Sequence, residues 1–253
     1  MITTTDLADH GEALLAADRS CGAVSGAGTS AALLQLMWLA SPALPVGGYS
    51  YSEGLEAAIH AGHVLDEATT GHWLTNQLQL SLARSEMPLV AQAHAAWLRH
   101  DLDRICTLNT WVTATREASE TRQQTQQMGR SMVEWLKNRG LQDDRIAMLG
   151  ALMPTPTWPV AFALAAAQSG ASAHDALLSF GFGWAENMVQ AALKSVPLGQ
   201  NAGQRVLSTL TDRLPAAVTQ ALTLDDESRQ AHAPMLAILA AQHESQYSRL
   251  FRS

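Results

Sequence analysis

The sequence predicts an all-α protein, a single compact helical bundle of about ten helices with a flexible N-terminal tail. Three observations predict it. Apolar residues recur at three- and four-residue steps from residue 31 almost to the end, and no stretch alternates with the period of two that marks a half-buried strand. The breaks between periodic segments, marked by Pro, Gly and Asp, are short enough for successive helices to pack directly.

Residues 1–30 stand apart. They lack a sustained apolar period and include the Gly/Ala/Ser stretch CGAVSGAGTS, so they read as a mobile extension with at most a transient helix around Glu12 to Asp18. Residues 31–253 form the helical domain. In its first helix Leu33, Leu36, Met37 and Ala40 mark one face, and Pro42 stops it, because the residue before a proline is driven out of the helical region. A second helix is expected from Tyr51 to Ala61, closed by Gly62, and a third from Asp66 to Arg84 with Asp66 as N-cap. A fourth follows Met87-Pro88, since proline is tolerated in a first turn, and Leu102 to Trp111 makes a short fifth.

The longest polar helix is expected between Thr115 and Gly140, with Met128, Met132, Trp135 and Leu136 as a narrow apolar stripe. MPTPTWP, with its three prolines, is a connector. A small-residue helix, VAFALAAAQSG, comes next, followed by SAHDALLSFGFGWAENMVQAALKSV, whose Gly181 and Gly183 cost about 1 kcal/mol each relative to Ala and so predict tight packing there. A helix from Asn201 to Leu214 is expected to stop at Pro215, with another running on to Leu222. LDDESRQ is an acidic surface turn, and PMLAILAAQHESQYSRLFRS closes the chain as a helix with a basic, aromatic end.

Composition excludes several function classes. With 253 residues, 47% hydrophobic and 15% charged, the chain can bury a sizeable core. Its net charge of -7 and lack of a basic face argue against a nucleic-acid partner. The run Ala31 to Ala40 is about half the length a membrane helix needs, and no basic segment directly precedes it as a signal peptide would require, so a cytoplasmic protein with no membrane association is expected. Cys21 and Cys106 are too few and too far apart for a disulfide framework.

The stretch SPALPVGGYSYSEG, residues 41 to 54, carries two prolines, a Gly-Gly pair and alternating Ser and Tyr. It lacks the final glycine of a nucleophile elbow and the lysine of a phosphate loop, and a helix precedes it where both motifs need a strand. Ser50-Tyr51-Ser52-Glu53 fits a capping box that would start the second helix at Ser50. Two readings stay open for the stiff loop: a turn that buries both tyrosine rings, or a rigid contact surface. Glu56, His60 and His63 lie at i, i+4 and i+7 and are weak candidates for a metal site. The remaining histidines, His243 among them, show no ligand or catalytic pattern. The polar helix with Arg116, Glu117, Arg122 and Arg130 reads either as a solvated face or as a pairing face. The tail QYSRLFRS has the aromatic and basic composition of a contact hot spot.

LLQLMWLASPALPVGGYSYSEGLEAAI, RQQTQQMGR, LKSVPLGQNAGQ and the closing RLFRS, in that order and spacing, make the chain resemble the UreF family of urease accessory proteins. The resemblance covers residues 33 to 253, and Tyr49 and Glu53 depart from the Phe and Gln commoner there. It implies a non-catalytic, all-α, cytoplasmic homodimer that binds UreD (also called UreH), recruits and regulates the GTPase UreG, and promotes nickel insertion into urease apoprotein. No tightly bound cofactor is implied: nickel contact would be transient or indirect, and GTP would act only through the partner GTPase. It implies partner-binding roles for Pro45, Gly47, Gly48, Tyr49, Ser50 and Tyr51, for Lys194, and for Arg249, Leu250, Phe251, Arg252 and Ser253. For Arg122, Arg130, Gln200, Gln204 and Arg205 a partner-binding and a structural role both stay open. The alternatives to a scaffold are an all-α enzyme with a helix-borne site, for which convergent acid, base or ligand residues are not apparent, and a nickel store, which would need a His-rich tract the sequence lacks.

Overall fold

The structure, a computed structural model, describes residues 26–252. Most of the expected extension, including the segment Glu12 to Asp18 and Cys21, lies outside the described residues, as does Ser253. Eleven α-helices and no strand are found among the described residues. They are α1 (Gly26–Ala40), α2 (Leu55–His60), α3 (Glu67–Asn76), α4 (Glu86–Leu98), α5 (Leu102–Thr115), α6 (Ser119–Asn138), α7 (Asp144–Gly150), α8 (Trp158–Gln168), α9 (Ala173–Ser195), α10 (Gln200–Thr223) and α11 (Pro234–Glu244). None is long and apolar enough to cross a membrane.

α8 is the axis of the bundle. Pro159 to Ala167 are all buried, and the alanines let α4 and α6 approach closely on two sides. The Trp97 indole of α4 donates to the Val160 carbonyl at 3.0 Å, fixing one of these contacts. On the other side a Cβ placed on Gly129 would lie 2.1 Å from the Pro156 carbonyl oxygen, so α6 meets the proline connector backbone to backbone. That connector, which contains a cis Met153-Pro154 bond, has its polar groups met by one side chain. Buried Asn109 donates to the Pro154 and Thr155 carbonyls at 2.7 and 3.2 Å and accepts from the Thr157 N–H and hydroxyl at 2.8 and 2.9 Å.

The expected helices are mostly present, with six corrections. The buried face of α1 is Leu36 and Leu39, whereas Leu33 and Met37 are exposed together with Leu34 and Trp38. Asp66 does cap α3, accepting from the Thr69 N–H at 2.9 Å, but α3 passes at Gln77 into a π-helical turn through Leu82. The Ser50–Glu53 capping box does not form: Gly48–Ser50 is a 3₁₀ turn, Tyr51 is extended, and α2 begins only at Leu55. Apolar spacing in the short segment 144–150 was insufficient to announce α7. Pro215 does not end a helix, because α10 runs through it. α11 ends at Glu244, and residues 245–252 form turns rather than helix.

Packing at α9 accounts for its two glycines. A Cβ on Gly181 would meet Leu214 Cδ2 of α10 at 2.6 Å, and one on Gly183 would meet Ala40 of α1 at 3.3 Å. α9 therefore lies tightly between α1 and α10. Two buried clusters result. The larger fills the bundle around α8, and a smaller one joins Leu55, Ala58, Val64, Ala191, Ala192, Val196, Leu239 and Phe251 at the end of α9.

Candidate partner-binding site

The loop after α1 is stiff for local reasons. Leu44 and Val46 point into the core, the Ser41 hydroxyl accepts from the Ala43 N–H at 3.2 Å, and the Leu44 N–H donates to the Ser41 carbonyl at 3.0 Å. Gly47, at φ +79°, turns the chain into Gly48–Ser50, which leaves Tyr49 63% exposed. Glu53 and Gly54 are both left-handed, at φ 51° and 81°; for Glu53 that conformation costs about 1 kcal/mol or more. The surroundings hold it there. The Gln124 amide donates to one Glu53 carboxylate oxygen at 2.8 Å and the Trp184 indole to the other at 2.9 Å.

The left-handed pair sets the start of α2 so that Glu56 faces inward, only 7% exposed. One carboxylate oxygen accepts from the Leu250 N–H at 2.7 Å. The other accepts from the Phe251 N–H at 3.0 Å and lies 3.0 Å from Nε2 of His243, on α11. Nδ1 of the same ring is 2.8 Å from Glu120 at the start of α6, and Glu120 in turn pairs with Arg249. Next to His243, Glu244 accepts from the Ser119 N–H and hydroxyl at 2.7 and 2.8 Å and from the Glu120 N–H at 3.2 Å. A carboxylate at a helix N-terminus is electrostatically favourable. The Ser119 hydroxyl, followed by these backbone donors, holds the Glu244 carboxyl below its usual range.

The tail is thus fastened at four successive residues. Arg249 pairs with Glu120, Leu250 and Phe251 donate to Glu56, and the Arg252 N–H donates to the Ser50 carbonyl at 2.9 Å. The Lys194 ammonium stands 5.8 Å from the centre of the Phe251 ring, a cation–π contact. The loop, Lys194 and the tail, widely separated in sequence, meet at one surface. Pro45, Tyr49, Lys194, Arg249, Leu250 and Arg252 are exposed there. Tyr51 and Phe251 are core side chains instead, 5% and 7% exposed, so their rings support the surface rather than form it.

The other sequence candidates are placed differently. Arg122 donates to the Arg116 carbonyl at 2.9 Å, Arg130 reaches Gln127 at 3.3 Å, and Arg205 forms a bidentate pair with Glu67 at 2.8 and 2.7 Å, all on exposed faces. Gln200 and Gln204 are exposed at the start of α10. His60 and His63 are exposed, with His63 stacked on Trp73, while Glu56 is turned away from them toward the tail. Among the described residues, no three His, Cys, Asp or Glu side chains are grouped to hold a metal ion.

Sequence reasoning missed His243 and Glu120 altogether. The one usable signal was His243 on the apolar side of α11, one turn beyond the buried Leu239 and Ala240, where a polar ring needs partners.

Comparison with known proteins places the chain in a family. The family model described as UreF matches residues 64–211. The chain is similar to the urease accessory protein UreF of Methylibium petroleiphilum, with 60% identity over 225 residues, covering 88% of this chain and 95% of that one. It is also similar to the UreF proteins of a Polaromonas species, at 57% identity covering 88% and 96% of the two chains, and of Paracidovorax citrulli, at 57% identity covering 88% and 90%. With identity this high across most of both chains, the protein belongs to the UreF family of urease accessory proteins.

Proposed function

We propose that the chain is a non-catalytic scaffold for urease maturation, acting in the cytoplasm as a homodimer. Together with UreD/UreH it recruits and regulates the GTPase UreG and so promotes nickel insertion into urease apoprotein. Nickel passes through the assembly transiently or indirectly, and GTP is used by the partner GTPase alone.

The observation that carries this reading is the junction of loop, Lys194 and tail. A rigid turn bearing exposed Tyr49, whose backbone has little freedom left to lose, is flanked by Lys194, Arg249, Leu250 and Arg252, so that aromatic, apolar and basic groups share one surface. Such a surface binds a protein at low entropic cost. For pairing of two copies, the exposed apolar face of α1 with Leu33, Leu34, Met37 and Trp38 is the surface we assign.

Co-purification of the full chain with UreD/UreH and UreG tests the proposal. A ternary complex that Lys194→Ala or Tyr49→Ala weakens, with the helical circular dichroism unchanged, is the expected result. No complex in the presence or absence of nickel and GTP refutes it.

A further inference from the structure

The two nitrogens of the buried His243 ring each face a carboxylate, Nε2 at 3.0 Å from Glu56 and Nδ1 at 2.8 Å from Glu120, and the side chain has no exposed surface. An ionised carboxylate can only accept hydrogen bonds, and a neutral imidazole carries a single N–H. Two hydrogen bonds across this trio therefore require one proton more than a neutral ring between two carboxylates supplies. With that proton the trio carries a net charge of about -1, which Arg249 on the far side of Glu120 offsets. Other charged groups nearby include Lys194 of α9, set over the Phe251 ring, Glu244 of α11, which is turned to the N-terminus of α6, and Arg122 of α6, which helps hold the Glu244 carboxyl low. A shared metal ion is not an alternative for this trio, because its carboxylates bind opposite edges of the ring and do not converge on one point.

We propose that this additional proton is a clasp on the C-terminal segment: with it, His243 ties Glu56 to Glu120 and residues 249–252 stay docked on Glu120, Glu56 and the Ser50 carbonyl, and without it the segment releases. The two carboxylates that His243 joins are the same groups that receive the tail, Glu56 through the Leu250 and Phe251 amides and Glu120 through Arg249. Removing the proton leaves a bare ring nitrogen against a carboxylate oxygen within about 3 Å at a fully buried ring, where like-sign repulsion is strong. Release hydrates all three groups and removes the repulsion. Once pH is high enough for the released, hydrated imidazole to lose its proton, the docked state holds one proton more than the released state, and docking weakens as pH rises further, by at most about tenfold per pH unit; at lower pH both states hold the proton and docking is independent of pH. Control of partner access by this clasp rests on the function proposed above, whereas the clasp itself belongs to the isolated chain.

The test uses the full chain without partners, labelled with ¹⁵N-histidine. Ring nitrogen shifts report how many nitrogens of His243 are protonated at each pH. Hydrogen exchange of the Leu250, Phe251 and Arg252 amides, corrected for intrinsic exchange, reports docking in the same samples. The expected result is two protonated nitrogens wherever the amides are protected, with protection falling up to about tenfold per pH unit as the ring loses its proton. In His243→Gln, which offers one donor and one acceptor, protection is expected to be low and independent of pH. A ring with one protonated nitrogen beside fully protected amides overturns the clasp, and so does protection that stays constant while the ring titrates. Should His243→Gln fail to fold by circular dichroism, the wild-type measurements decide alone. A failed co-purification with the partners would leave these readouts untouched, so the two proposals can fail separately.

Discussion

Phe251→Ala tests how the tail contributes to the fold. The ring is 7% exposed and packs with Leu55, Ala58, Ala191, Ala192, Val196 and Leu239, beneath the Lys194 ammonium. Truncating a core Phe costs about 3–5 kcal/mol where the cavity cannot collapse. Here its neighbours include small alanines, so the lower part of the range applies, and the cation–π contact adds about 0.5–1 kcal/mol. Together, a loss of about 3.5–4.5 kcal/mol shifts the docking equilibrium of the tail by roughly 400- to 2,000-fold. Because the larger cluster around α8 does not include Phe251, the helices stay intact. The assay is trypsin cleavage after Arg249 followed by mass spectrometry, with opening fast relative to cleavage so that the rate tracks the open population. Far-UV circular dichroism runs in parallel. A cleavage rate changed less than about threefold, or a large loss of helical signal, would refute the assignment of Phe251 to a separable tail cluster.

Gly129→Ala is expected to destabilise the whole bundle by more than about 3 kcal/mol in urea unfolding, since the new methyl meets the Pro156 backbone at 2.1 Å and backbone yields little. Asn109→Ala leaves two carbonyls, one N–H and one hydroxyl without a partner in the connector, and is expected to cost about 2–4 kcal/mol by the same measurement. The Asp143 carboxyl is lowered from 3.8 to about 2, chiefly by its hydrogen bonds from the Arg145 guanidinium. Its folded-state value is depressed, so the stabilisation is complete above 3.8 and is lost as pH falls toward 2; Asp143→Asn should cost about 1–2 kcal/mol at pH 7 and almost nothing near pH 2, measured by thermal or urea unfolding. Tyr49→Ala and Tyr51→Ala should separate binding from stability: the first, at an exposed ring, weakens partner capture with little change in unfolding, while the second, at a buried ring, costs about 3 kcal/mol of stability.

Periodicity made the helices legible wherever one apolar stripe ran for several turns, as in α6, whose Met128, Met132, Trp135 and Leu136 are all buried. It also made α8 and the glycine contacts of α9 legible, because small residues in an apolar helix have a simple packing consequence. Local rules failed where a distant group outcompeted a near one. The Glu53 carboxylate was free to cap its own helix, yet the Gln124 amide and Trp184 indole, 71 and 131 residues away, take both of its oxygens. Tertiary packing likewise overrides the usual stop at Pro215, which lies between the buried Leu214 and Ala217 of a continuous α10. The surface formed by loop, Lys194 and tail was legible as a set of segments by resemblance, and its support was not. Glu56 and His243 are 187 residues apart, and no spacing rule links them.

The separation of the two buried clusters bears on how such a surface can work. Its supporting residues, Leu55 and Ala58 of α2, the last turns of α9, Leu239 of α11 and Phe251, belong to the smaller cluster, while α4, α6 and α8 fill the larger one. A segment held by few apolar contacts and a handful of hydrogen bonds opens with a free energy well below that of global unfolding. The tail can therefore leave and return while the bundle persists. Tyr49, by contrast, sits on a turn whose flanks, Leu44, Val46 and Tyr51, are all anchored in the larger cluster. The surface thus combines a fixed half with a releasable half, and the Glu56–His243–Glu120 trio lies where the two meet. Substitutions in the fixed half should change affinity for a partner through contacts alone. Those in the trio should change it through the fraction of molecules with the tail docked, and only the second class should alter the pH dependence of binding.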